Sequence, residues 1–238
     1  MKDILKAMEY EKIYLNHRMR NETPFQIIEK IKECGFNSLE QYNKYKNVHL
    51  FEAMNFELHE CAQEEIISEA VRILTNKLTG IWQADSTTTC VFNGFSGDNS
   101  FNMRYCEEND IPVFSLGSNG GTIIHQNGDF SWGICYPTSL NIRSDYLLNK
   151  LKCILQKHTL KEVIVDGNDI LVDGKKVCGS TVYEKNDTFL FISYFSFNDK
   201  SELIKNICNK ISKKIPGYID FITCEEFKKE VCKWLQAQ

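Results

Sequence analysis

The residues of this 238-residue chain with the most capacity for chemistry fall in two segments. The first reads Ser118-Asn119-Gly120-Gly121-Thr122-Ile123-Ile124-His125 and runs on into the polar turn Gln126-Asn127-Gly128-Asp129. Paired glycines at the mouth of a strand leave no Cβ in front of their backbone N–H groups, so those donors can approach a carbonyl or phosphate oxygen closely. The second segment, Gly167 to Ser180, has the pattern of a hairpin turning at Asp173-Gly174, because a two-residue loop demands a positive φ that Gly tolerates. Lys176 leaves that turn on the second strand. A lysine held against a sheet and aimed into a pocket can neutralise charge that builds on an acyl carbonyl or a phosphate during group transfer. Taken singly, the first pattern is the ordinary one of a tight turn, and the second that of a solvated lysine beside one.

In this order and at this separation, the two segments resemble the paired signatures of the biotin/lipoate ligase superfamily, in its lipoate-protein ligase and octanoyltransferase branch. That pattern is a Ser/Thr-Gly-Gly-Gly turn, a strand, a His and Gly-Asn-Leu, then Asn-Asp-Ile followed by Gly-x-Lys-Ile-x-Gly-Ser. Here Ser118 to Gly121 stands at the glycine turn, His125 at the histidine and Gly128-Asp129-Phe130 at the next turn. Asn168-Asp169-Ile170 stands at the acidic turn, and Gly174 to Ser180 at the lysine motif. Trp82 with Thr89 to Gly94, and Tyr105-Cys106-Glu107 to Val113, extend the similarity, which covers about Phe51 to Trp234.

The resemblance implies a catalytic role for Lys176 on the acyl carbonyl. It implies that Asn119, Gly120, Gly121, His125, Gly179 and Ser180 shape the substrate pocket, and that Asn168 and Asp169 meet the nucleotide, with Asp169 also on a magnesium ion. The implied reaction joins lipoate or octanoate to the α-phosphate of ATP, then passes the acyl group to a lysine of a lipoyl acceptor domain such as a glycine cleavage H protein or a dehydrogenase E2 domain. The branch offers two other readings: an octanoyltransferase fed by acyl carrier protein without ATP, and a non-catalytic relative that binds an acyl ligand or a partner. A biotin ligase fits less well, since its Gly-Arg-Gly-Arg-x-Gly run has no counterpart.

Three departures bear on these readings. Family ligases carry two arginines before the glycine turn, where this chain has Ser115 and Leu116, and neither replaces the planar fork with which Arg grips phosphate. Asn119 takes the first glycine position, as the non-Gly residue most tolerant of left-handed backbone. The sequence given ends at Gln238, short of the accessory domain of many lipoate ligases, a feature shared with octanoyltransferases. Cys178, two residues from Lys176 and on the same strand face by the period-two rule, is a possible acyl-accepting thiol, although it stands outside the position that transferase motifs give their cysteine. The other reading of Cys178 is a small core residue.

These residues need a scaffold, and the pattern of apolar residues predicts α+β, with mixed and mostly antiparallel sheets flanked by helices. Residues 1–50 read as a helical extension, with Thr23 as N-cap, Pro24 in the first turn and Gly35 as the stop, and 51–238 as the catalytic domain. A helix is expected from Ser38 to about Lys46, and Val48 to Phe51 lead into a longer one reaching about Lys77. Strands follow from Ile81, interrupted by helices near Asn99–Asn109 and Tyr146–Gln156. The tail returns to helix over Lys200–Lys213, where Lys213-Lys214 reads as a solvated helix end, and a last helix starts at a Thr223/Glu226 capping box. Trp82, Trp132 and the phenylalanines at 189, 191, 195 and 197 could line an acyl tunnel, but aromatics at strand spacing are more often core.

Bulk composition narrows the partners. A formal charge of −4 with interspersed signs gives no basic stripe for nucleic acid. No apolar run is long enough to span a membrane, and the start Met1-Lys2-Asp3-Ile4 lacks a secretory pattern, so the cytoplasm is the expected address. Ten cysteines without a Cys-x-x-Cys pair suit reduced thiols, and five unpaired histidines give little support to zinc.

Overall fold

The computed structural model describes residues 35–94, 101–115, 121–209 and 214–236. The chain divides into two compact units, one of residues 1–55, 138–142 and 233–238, the other of 56–137 and 143–232. The expected Thr23 helix lies outside the described residues. In the first unit, helix α1 (Leu39–Glu52) starts where the Ser38 side chain accepts from the Gln41 N–H, satisfying one of the donors that a helix start leaves open. A 3-10 turn at Thr138–Leu140 lies against it.

The longer helix expected after Val48 to Phe51 and reaching about Lys77 does not form as one element. Leu58–Ala62 forms strand β1, a parallel partner of β2 (Gly80–Asp85), and only Ile66–Asn76 is helical, as α2. None of the residues Leu58-His59-Glu60-Cys61-Ala62 is β-branched or strongly strand-forming. Pairing along an available sheet edge overrides local preference there. Lys77 ends α2 in the left-handed conformation, with φ 53°.

The second unit is built on two sheets. The larger adds β6 (Phe130–Pro137), β7 (Val163–Asp166), β8 (Asp169–Val172), β9 (Lys175–Lys185) and β10 (Thr188–Phe195), in the order β1-β2-β6-β10-β9-β8-β7, antiparallel except at β1/β2. The smaller joins β4 (Val113–Ser115), β3 (Cys90–Asn93) and β5 (Thr122–His125) in that order. The expectation of mixed, mostly antiparallel sheets with flanking helices therefore holds.

Period-two side-chain alternation gives the large sheet two apolar faces. On one, Phe130 and Phe195 meet Phe227 of helix α6 (Cys224–Gln236), which follows α5 (Ser201–Ile207) in the chain, the Phe195–Phe227 ring centroids being 4.7 Å apart. Helix α4 (Ser144–Gln156), which follows α3 (Met103–Glu108) in the chain, packs on β7 and β8. On the other face, Trp82, Cys135 and Leu190 bury against Ile73 of α2, while Ala84 packs with Ile66, Cys90 and Phe92. The small sheet is thus laid over the large one at the Ala84 end. Trp132, Phe191 and Phe195 are fully buried, which makes them core.

Candidate functional site

Two tight turns carry the lysine motif. Gly167 has φ +64° in the β7–β8 turn, and Asp173 and Gly174 have φ +47° and +75° in the β8–β9 turn, the left-handed pair expected of a two-residue hairpin loop. Between β8 and β9 the register then slips: Ile170 opposes Cys178, but Leu171 opposes Lys176, leaving Val177 as the extra residue of a bulge. This slip decides which side chains share a face.

Without the bulge, Lys176 and Cys178 would project together, as the alternation of the sequence predicts. With it, Lys176 shares its face with Gly179, while Cys178 falls on the opposite face with Ser180. Cys178 is 1% exposed, its Sγ lies 3.8 Å from Ser180 Oγ, and burial pushes its thiol up to about 12. Ser180 Oγ in turn lies 2.9 Å from Ser193 Oγ. The expectation that Cys178 shares the strand face of Lys176 is therefore corrected by one inserted residue.

Lys176 is fixed at both ends. Its N–H donates to the Ile215 carbonyl at 2.8 Å, and its carbonyl accepts from Gly217 N–H at 2.8 Å, so residues 215–217 run as a short parallel partner of the strand. Gly217 is needed for this approach, because a Cβ there would stand 2.7 Å from Lys175 Cβ. At the far end, Lys176 Nζ lies 2.9 Å from Asp169 Oδ1 with the side chain still 37% exposed. A hydrogen-bonded ammonium open to solvent is placed to receive a ligand oxygen.

Asp169 holds a second ammonium on its other oxygen. Lys214 Nζ is 2.7 Å from Asp169 Oδ2, 2.9 Å from Asp166 Oδ2 and 2.8 Å from the Asp166 carbonyl. Lys214 is thus not the solvated helix end suggested by its sequence context. Burial pulls its ammonium down, but the hydrogen bonds to Asp169 and Asp166 prevail and hold it above the ordinary lysine value. With each oxygen of Asp169 on an ammonium, its carboxylate does not fit a resident magnesium ion, which wants free hard oxygens. Among the described residues, no group of three or more His, Cys, Asp and Glu side chains could hold a metal.

The register places Asp169, Gly179, Tyr194, Ser131 and Ala84 in one line across β8, β9, β10, β6 and β2. Tyr194 links the lysine motif to the other segment singled out in the sequence. Its ring lies 4.0 Å from His125 and its hydroxyl donates to the Ile124 carbonyl at 2.8 Å. His125 is 2% exposed, packed also against Phe92, and its Nδ1 has no hydrogen-bond partner among the described residues. Burial, with the nearby Lys200 charge adding to it, holds its imidazole well below the usual value and hence neutral.

Sequence reasoning missed the anchor beneath this region. Lys200 Nζ, almost fully buried, reaches Asp129 Oδ2 at 2.8 Å and the Ile124 carbonyl at 2.9 Å, and lies over the Tyr194 ring. Asp129 also accepts from Tyr194 Oη at 2.9 Å and from the N–H groups of Gln126 and Phe197, both at 2.8 Å. Burial lowers the Lys200 pKa, against the pull of Asp129. No local pattern marks a lysine at the start of a helix as buried.

Of the remaining expected residues, the structure describes Asn168 and Gly121. Asn168 is exposed, and its carbonyl accepts from Ser180 N–H at 2.8 Å. Gly121, exposed at the head of β5, accepts from Gly94 N–H at 3.3 Å. Asn119, Gly120 and Leu116 lie outside the described residues, and Ser115 is exposed at the end of β4.

The fold has relatives. The family model described as the lipoyl protein ligase A/B catalytic domain matches residues 53–231. The chain belongs to that family. No curated protein matches it in sequence. Among solved structures, P. falciparum LipL1 in complex with lipoate is 16% identical, with a TM-score of 0.66 over 76% of this chain. The match spans 59% of LipL1, so this chain corresponds to a little over half of that protein. A bipartite lipoate protein ligase studied with its E2 lipoyl domain, from Thermoplasma acidophilum, is 13% identical with a TM-score of 0.62, covering 77% of this chain and 83% of its own. A lipoate-protein ligase A bound with ATP is 12% identical with a TM-score of 0.60, covering 77% and 85%. At these identities the neighbours show a shared fold. Among the described residues, no helix is long and apolar enough to cross a membrane.

Proposed function

We propose that this member of the lipoyl protein ligase A/B family attaches lipoate or octanoate to a lysine of a lipoyl acceptor domain, through an acyl-adenylate made from ATP. The observation that carries this reading is the Lys176 ammonium, tied to Asp169 at 2.9 Å, partly open to solvent and laid over Gly179, where no side chain obstructs it. In the first step the acyl carboxylate attacks the α-phosphorus of ATP, forming the O–P bond as the bond to pyrophosphate breaks. In the second, the acceptor amine attacks the acyl carbon, the C–O bond to AMP breaks and the amine loses a proton. Negative charge grows on the acyl oxygen in the second step, and Lys176 donates to it. The lipoate, ATP and E2 domain of the similarly folded ligases support these choices of ligand and partner.

The test is incubation with lipoate, ATP, magnesium and a purified E2 lipoyl domain, followed by intact mass of the acceptor. A mass increase of one lipoyl group, lost in Lys176→Met, is expected. Acylation only when octanoyl carrier protein replaces acid and ATP would replace this reading by the transferase one, and an unmodified acceptor in both assays would overturn it.

A further inference from the structure

The pairing of Lys176 and Lys214 on one carboxylate has a meaning beyond the anchoring of Lys176. Each ammonium takes a different oxygen of Asp169, so the two lysines grip the two-oxygen edge of a single anion. An acyl-adenylate presents a comparable pair of oxygens, its acyl carbonyl oxygen and a non-bridging phosphate oxygen, on either side of one bridging oxygen. The lysines differ in how they are held. Among the described residues, Lys176 Nζ makes its ion pair to Asp169 alone, whereas Lys214 Nζ also holds the carboxylate and the carbonyl of Asp166. Lys214 can therefore release Asp169 and keep its place.

The backbone makes this placement deliberate. Residues 215–217, which follow Lys214 directly, are spliced onto the main chain of Lys176 by two 2.8 Å hydrogen bonds, and Gly217 permits the contact. The position of one ammonium is thereby tied to the strand that bears the other. The Lys214 side chain is 28% exposed, so an anion arriving from solvent can reach it. Two ammoniums facing Asp166 and Asp169 make a neutral cluster. An anion that displaces Asp169 exchanges one charge-assisted bond for another of similar strength.

We propose that Lys214 holds the phosphate of the acyl-adenylate while Lys176 holds its acyl carbonyl. This inference rests on the reading given above and adds a specific phosphate-binding residue to it. A lysine serves as a point charge on a phosphate oxygen, and does not need the planar fork of arginine to do so.

The experiment titrates the purified chain, by calorimetry, with octanoate and with octanoyl-AMP, in wild type, Lys214→Met and Lys214→Arg. Lys214→Met is expected to weaken octanoyl-AMP about tenfold or more, the loss of one charge-assisted bond, with octanoate affinity unchanged. Lys214→Arg should restore most of the loss, because it keeps the charge. Lys214→Met that binds octanoyl-AMP like wild type overturns the inference alone. Equal loss of both ligands also overturns it, since Lys214 would then be only a strut for Lys176. Wild type that binds neither ligand, or octanoate without octanoyl-AMP, overturns the adenylate reading and this inference together, and that outcome is read from the wild-type titrations without any variant.

Discussion

Gly179 lies directly under the ammonium of Lys176: a Cβ on Gly179 would stand 3.0 Å from both Cε and Nζ of the lysine and 3.5 Å from Asp169 Oδ1. The backbone at Gly179 is not in the left-handed region, so what the glycine supplies is space. Gly179→Ala should therefore fold normally and move the flexible end of Lys176 off Asp169. If Lys176 meets the acyl oxygen as proposed, its displacement should lower acceptor lipoylation at least tenfold, against a stability change of about 1 kcal/mol or less. Steady-state acylation beside a urea melt checks both halves. Unimpaired acylation would show that the position of the ammonium is immaterial.

Cys178 offers a second test, because the bulge at Val177 moves it away from the Lys176 face and its thiol is pushed up to about 12. The thiolate is the reactive form, so Cys178 should resist alkylation in the folded chain at neutral pH. Cys153, exposed on α4, should react readily. Peptide mapping after brief iodoacetamide treatment reads the order of labelling, and Cys178→Ala should leave acyl transfer intact. Rapid labelling of Cys178, or loss of transfer in the alanine variant, would restore it as an acyl-accepting thiol.

These two residues also show where sequence reasoning reaches and where it stops. The Asp173-Gly174 hairpin and the Thr223/Glu226 capping box were legible, because each is a local bargain between adjacent residues: Thr223 N–H donates to Glu226 Oε2 at 3.1 Å, and Glu226 N–H to Thr223 Oγ1 at 3.2 Å. The bulge was not, since the slip arises from pairing with β8 and leaves no mark in the spacing of Lys176 and Cys178. Strand β1 reads as helix in the sequence because its reason for being a strand is the edge of β2. Lys214 and Lys200 read as ordinary helix residues for the same cause, their carboxylate partners being 45 and 71 positions away in sequence.

The Lys200–Asp129 pair is structural in consequence. Asp129 is wholly enclosed and Lys200 6% exposed, and together with Tyr194 they tie the β5 carbonyl of Ile124 to β10. Removing one partner strands the other charge in a site built for both. Lys200→Met and Asp129→Asn should each cost about 3–5 kcal/mol, whereas removal of the half-exposed Lys176 should cost far less. Urea denaturation of the three variants gives the comparison. Equal, small losses for all three would mean that water reaches the Asp129 cluster.

His125 should make stability depend on pH by the same logic of burial. Its folded pKa lies well below the ordinary 6.5, because desolvation disfavours the imidazolium and the Lys200 charge repels it. Unfolding frees the ring to take up a proton wherever the pH is below 6.5 but still above the folded pKa. In that window the unfolded state binds more protons, so stability rises with pH and falls as pH drops, by up to about 1.4 kcal/mol per pH unit. His125→Phe keeps a ring between Phe92 and Tyr194 and has no proton to take up. Its stability between about pH 5 and pH 6.5 should be flatter than that of wild type by this slope, since ordinary carboxylates titrate mostly lower. Denaturant midpoints collected across the window measure the difference, and parallel curves for the two proteins would place a proton on His125 in the folded chain.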